Sequence, residues 1–163
     1  MSAPALAPRL SGSPLVVAGC RLEYRWIPPA RATALTFVLL HDGLGSVGLW
    51  RDFPERLAQR TGAGVFLYSR AGYGRSEPAA RARGADYLHH EALDVLPGHR
   101  IRCPVMVVQG EDDSYGTLAQ VEAIGRQTAG PVDTLVLPRC GHAPHREAEV
   151  EVIEEVAHFV TRL

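Results

Sequence analysis

The chain has 163 residues, 46% of them hydrophobic, a formal net charge of -1 and an isoelectric point near 6.6. That length and composition support one domain with a real core, and the near-neutral balance gives no electrostatic case for nucleic acid or an anionic membrane as partner. The three cysteines, Cys20, Cys103 and Cys140, are odd in number and widely spaced, which argues against a disulfide framework and for a reducing cytoplasm. All seventeen basic residues are arginine, a codon-bias signature without functional content. No stretch approaches the ~18 apolar residues of a membrane span.

Residues 1–13 read as a mobile N-terminal tail rich in Pro, Ala and Ser, and 14–163 as a single domain. Val17-Ala18-Gly19-Cys20 imitates a lipoprotein cleavage site, but the apolar run before it is far shorter than the ~7–15 residues a secretory segment needs. Residues 15–18 and 21–27 are therefore read as a hairpin, the second strand alternating through Leu22, Tyr24 and Trp26. The continuous apolar run 35–40 predicts a strand covered on both faces. An amphipathic helix follows over 49–60, with Pro54 in its first turn. Residues 64–68 are the next buried strand, and 72–83 a Gly/Arg/Ala loop. A helix over 87–96 is stopped by Pro97-Gly98. Strand 104–109, helix 117–128, strand 132–137 and a terminal helix over 147–162 complete the pattern. This alternation predicts an α/β doubly wound, three-layer fold with a mainly parallel sheet.

Ligands of such sheets sit at the carboxyl ends of the strands. The loops at issue are His41-Asp42-Gly43-Leu44-Gly45-Ser46, residues 69–76, residues 110–116 and residues 139–145. Polar residues and glycines concentrate there.

Four of these segments carry a resemblance. His41-Asp42-Gly43-Leu44-Gly45 is similar to the His-Gly oxyanion loop of α/β-hydrolase-fold esterases, with one extra residue. Arg70-Ala71-Gly72-Tyr73-Gly74-Arg75-Ser76 resembles the loop after the fourth strand of that family. Residues 104–113 resemble its acid-bearing strand and turn, and Gly141-His142 its histidine loop. Together they span nearly the whole chain from Leu15 onward, in the family order. The resemblance implies hydrolysis of small acyl esters or related carbonyl compounds, without cofactor or metal. It places the catalytic acid on Asp113, the catalytic histidine on His142, and the oxyanion-hole loop on Gly43 and Leu44, with the Leu44 amide as donor. The partner it implies is a small-molecule substrate.

One part is missing. The family carries its nucleophile in a Gly-x-Ser-x-Gly turn between strand and helix, and no serine here has glycine both two residues before and two after. Only Pro97-Gly98-His99-Arg100 stands where the nucleophile strand, its elbow and the usual cap would be. The second oxyanion amide, that of the residue after the nucleophile, goes with the elbow. The chain therefore reads as a shortened α/β-hydrolase core with no nucleophile and weakened or lost activity. The crossover through 87–96 is expected to deliver strand 104–109 beside strand 35–40; the alternative is a homodimer that fills the gap by exchange.

Substitutes for the serine are poor. Ser114 adjoins Asp113, Ser76 lies in a structural loop, and Cys140 reads as a buried small hydrophobe rather than an activated thiol. Cys140, His142 and His145 imitate a metal cluster but lack a distant fourth ligand, and His89-His90 read as solvated. Two rival readings stand. Gly43-Leu44-Gly45-Ser46-Val47-Gly48 matches Gly-x-Gly-x-x-Gly after a buried strand, the context of a dinucleotide site, with Ser69-Arg70 suiting the 2′-phosphate of NADP. The other rival is a non-catalytic interaction protein on a hydrolase scaffold.

Overall fold

The fold is described from a computed structural model over residues 15–17, 19–31, 35–41, 44–78 and 102–163. The 1–13 tail, the 87–96 helix, His89-His90, Asp42 and Gly43 lie outside the described residues. The chain divides into two compact units, Met1–Gly84 and Ala85–Leu163.

In the first unit, β1 (Leu15–Val17) and β2 (Cys20–Leu22) form an antiparallel hairpin with Val17 opposite Cys20. Gly19 turns the chain at φ 81°, a conformation open to glycine at little cost. The single strand predicted over 21–27 is interrupted at Glu23. Beyond it, β3 (Tyr24–Ile27) leaves the hairpin and pairs antiparallel with β5 (Gly64–Tyr68). The break has a local cause: the Glu23 carbonyl accepts the Ser69 N–H at 2.8 Å, and its carboxylate accepts the Ser69 hydroxyl at 2.7 Å.

On its other side β5 pairs in parallel with β4 (Thr36–Leu40), giving the order β3-β5-β4. The central strand carries the core: Val65 and Leu67 are fully buried, and α1 (Phe53–Thr61) packs on β5, burying Phe53, Pro54 and Leu57. The two-sided burial expected of residues 35–40 belongs to β5 instead. β4 lies at the end of its ladder, and Val38 and Leu40 are exposed while Phe37 and Leu39 are half-buried.

The helix predicted from residue 49 starts at Phe53, after a 3-10 turn over Val47–Trp50. Proline lacks the N–H an interior position must donate, so Pro54 confines the start of α1 to its own neighbourhood. Gly62, at φ 69°, closes the helix by donating to the Ala58 carbonyl.

In the second unit, β6 (Val105–Gly110) and β7 (Val132–Leu137) run parallel from the pair Val105–Val132 to the pair Gly110–Leu137. The connection between them contains α2 (Leu118–Gln127), as a parallel pair requires. The terminal helix is two pieces, α3 (Pro144–Glu147) and α4 (Glu149–Thr161), parted at Ala148, whose φ of -135° and ψ of 46° are not helical. Val121, Leu137, Cys140, Val152, Ile153 and Ala157 are buried.

Among the described residues, β4 pairs with β5 and β6 with β7.

Candidate functional site

In the first unit, Leu40 and Tyr68 are paired, so the loops that follow β4 and β5 leave side by side. His41 is buried, and its Nε2 accepts the Arg70 backbone N–H at 3.0 Å. Its ring stands 5.4 Å from that of Tyr73, over which the Arg70 guanidinium lies at 5.3 Å. The fully buried Ser69 hydroxyl donates to Glu23 and accepts the Val47 N–H at 2.9 Å. Ser76 donates to the Ser69 carbonyl at 2.6 Å and accepts the Glu23 N–H at 2.9 Å, a structural role. Gly74, at φ 54°, passes so close to the Glu23 carboxylate that a Cβ there would stand 2.1 Å from an oxygen. Glu23 thus organises both loops, yet in sequence it shares its alternation with Arg21 and Arg25 and looks like a solvent-facing strand residue.

Of the two oxyanion-loop residues, Gly43 lies outside the described residues and Leu44 is 84% exposed. A dinucleotide site needs a helix opening directly on its glycines. Here the α-helix begins at Phe53, and the Val47 amide is already spent on Ser69.

In the second unit the paired strand ends Gly110 and Leu137 bring the acid loop against the histidine loop. A Cβ on Gly110 would stand 2.2 Å from the Gly141 carbonyl oxygen and 2.3 Å from that of Cys140, so glycine is what permits the contact. The Glu111 N–H donates to the Leu137 carbonyl and the Asp112 N–H to the Cys140 carbonyl, each at 2.9 Å.

On this frame Asp113 and His142 meet. The His142 Nδ1 lies 3.0 Å from both Asp113 carboxylate oxygens. Oδ1 also accepts the Tyr115 and Gly116 N–H groups at 2.8 and 3.0 Å, and Oδ2 accepts the Gln109 side-chain amide at 2.8 Å. The His142 hydrogen bond above all, then the two amides and Gln109, holds the Asp113 carboxyl far below the usual carboxylate range, against the opposing effect of burial. The Asp113 side chain is 7% exposed and that of His142 53%. An ionised acceptor on Nδ1 fixes the N–H there and leaves the ring's lone pair on Nε2.

Two further residues shape the pair. Glu147 accepts the Gly141 N–H at 2.8 Å and the Ala143 N–H at 3.0 Å, clamping the backbone on either side of His142. Those two bonds also hold its carboxyl below the ordinary value. The Tyr115 ring lies 4.8 Å from the imidazole at 49° and is 80% exposed. Sequence reading missed Gln109, Tyr115 and Glu147, because their roles exist only once the two loops cross.

Cys140 is 2% exposed, and burial, with Glu147 and Asp113 next in effect, pushes its thiol above the ordinary value. It faces the core while His142 faces outward. Ser114 is exposed. Among the described residues no three His, Cys, Asp or Glu side chains come together to hold a metal ion, and no helix is long and apolar enough to cross a membrane.

Solved structures share the fold. An enol-lactonase from Burkholderia xenovorans LB400 matches with a TM-score of 0.70 at 15% identity, over 91% of this chain and 100% of that chain. A predicted CIB-like hydrolase from Thermoplasma acidophilum matches at 0.69 and 15%, over 93% and 97%. The chain has the α/β-hydrolase fold. Mouse alpha/beta hydrolase domain-containing protein 10 is similar as well, at a TM-score of 0.68 and 10% identity over 92% of this chain and 98% of that one. No protein-family model matches the sequence, and neither does any curated protein. At such identities the likeness establishes the α/β-hydrolase fold and leaves the chemistry to the residues.

Proposed function

We propose that this α/β-hydrolase-fold protein hydrolyses small acyl esters weakly, with Asp113 and His142 as a base dyad that acts without a serine. The observation that carries the proposal is the Asp113–His142 pair: a buried, ionised carboxylate on Nδ1 and a half-exposed ring. Nε2 then draws a proton from water as the oxygen attacks the ester carbon, and the imidazolium returns it to the leaving oxygen. General-base help of this kind contributes ~10²–10⁴-fold. Ester chemistry is in keeping with the enol-lactonase among the similar structures. The free, scattered cysteines favour a reducing cytoplasm.

The test compares hydrolysis of short-chain esters by the wild type, His142→Ala and Asp113→Asn. Both variants are expected to lose about 10²-fold or more, Asp113→Asn because its amide can present an N–H to Nδ1 and turn the tautomer round. Unchanged turnover in His142→Ala overturns the dyad. A serine labelled by a fluorophosphonate in proportion to activity overturns the serine-free mechanism.

A further inference from the structure

We propose that, toward esters of acidic phenols such as 4-nitrophenol, His142 is itself the nucleophile: Nε2 takes the acyl group and water then removes it. The inference rests on the dyad reading and adds a substrate class to it. In a complete triad the histidine lone pair is committed to the serine proton. Here, among the described residues, no hydroxyl hydrogen-bonds Nε2, and no serine in the sequence sits in an elbow that would bring one. Asp113 nevertheless keeps the proton on Nδ1 at 3.0 Å, so Nε2 presents its lone pair on a ring that is 53% exposed. An imidazole oriented in this way is, in its neutral form, a nucleophile in its own right, and histidine is among the side chains that carry covalent intermediates.

The electrons balance with water alone. The Nε2 lone pair forms the N–C bond while the carbonyl π pair moves to oxygen. Its return breaks the C–O bond, and the phenolate leaves with that pair. The acyl-imidazolium keeps its Nδ1–H on the Asp113 carboxylate. Water adds to the acyl carbon, the C–N bond breaks, and its pair returns to Nε2. One water proton ends on the phenolate and the other in solvent, so ester and water give carboxylate, phenol and a proton.

The leaving group sets the substrate class. A tetrahedral adduct expels its weaker base: the anion of an acidic phenol such as 4-nitrophenol leaves in competition with imidazole, whereas an ordinary phenolate or an alkoxide is the stronger base and imidazole is returned. Tyr115 points the same way, since its ring, 4.8 Å from the imidazole and 80% exposed, offers an aromatic leaving group a face beside the attacking nitrogen.

The experiment mixes the full chain with 4-nitrophenyl acetate, quenches in acid before steady state, and locates acetyl groups by peptide mass spectrometry. His158 is the internal control, an exposed imidazole whose Nδ1 lies 3.9 Å from Glu155. Acetyl is expected on His142 sooner than on His158 by about tenfold or more, a barrier difference of about 1.4 kcal/mol. The acetyl should fall at the rate of turnover, and Tyr115→Ala should raise KM for the aryl ester. Turnover that needs His142 but yields no acetyl there, with a large solvent deuterium isotope effect, overturns the nucleophile and leaves the dyad acting on water. Acetylation of His142 no faster than of His158 also overturns it. Turnover indifferent to His142→Ala removes both readings.

Discussion

Cys140 and His142 are two residues apart and chemically opposite. The thiol is buried and pushed toward its protonated form, while the imidazole is half-exposed and oriented by a carboxylate. A thiol reagent at neutral pH should therefore modify the exposed Cys103 quickly and Cys140 only as the chain unfolds, because the thiolate is the reacting form. Mass spectrometry of a labelling time course reads both, and Cys140 reacting as fast as Cys103 would refute its placement in the core. The same contrast explains what could be read beforehand. Asp113 and His142 were legible because each follows a glycine turn at a strand end. Gln109 was not, since a glutamine closing an apolar strand has no partner until the loop curls back over it. Glu147 was assigned to a helix, yet its carboxylate serves the two amides flanking His142.

At the level of elements, the contact between the acid and histidine loops depends on Gly110. Gly110→Ala forces a methyl against two carbonyl oxygens at 2.2 and 2.3 Å, so β6 and the histidine loop must part. A loss of about 1–3 kcal/mol is expected from such overpacking, together with loss of ester turnover. Gly125 in α2 is the counterpart, for a Cβ there has nothing within 4 Å. Gly125→Ala should gain about 1 kcal/mol from helix propensity. Urea unfolding of the two variants checks both signs; equal midpoints would mean that Gly110 is not a contact point. The strands themselves were readable from their apolar runs. What composition did not encode was pairing order: β4 and β5 are both apolar, and among the described residues of the first unit it is β5 that lies between two neighbours. The start of α1 differs for a related reason, because periodicity extends through a proline that hydrogen bonding does not permit.

Across the whole molecule, carboxylates are what hold loops in place. Asp113 serves the acid turn, Glu147 the histidine loop, and Glu77 the hairpin through the Arg21 backbone N–H and guanidinium. All three carboxyls are held below their ordinary values, by the His142, Gly141 and Arg21 hydrogen bonds respectively. The unfolded chain therefore binds protons at a higher pH than the native one. The stability they supply is complete above the ordinary carboxylate range of about 4 and drains away as pH falls below it. Glu77 contributes least, being exposed and screened. Urea midpoints should be flat from neutral pH to about 5 and fall below about 4, less steeply in Asp113→Asn and Glu147→Gln. An unchanged slope in both would show that these bonds do not anchor the fold.

The Asp113 carboxylate takes its hydrogen bonds from Gln109, Tyr115, Gly116 and His142, all of them in the second unit. The alignment of the dyad is thus set within that unit. An acyl group carried on an open imidazole has no dedicated acceptor. It goes to water, to an added alcohol or to an amine in proportion to their concentrations and nucleophilicities, so the composition of the medium decides the product: hydrolysis in plain buffer, transesterification or amide formation when a competing acceptor is supplied.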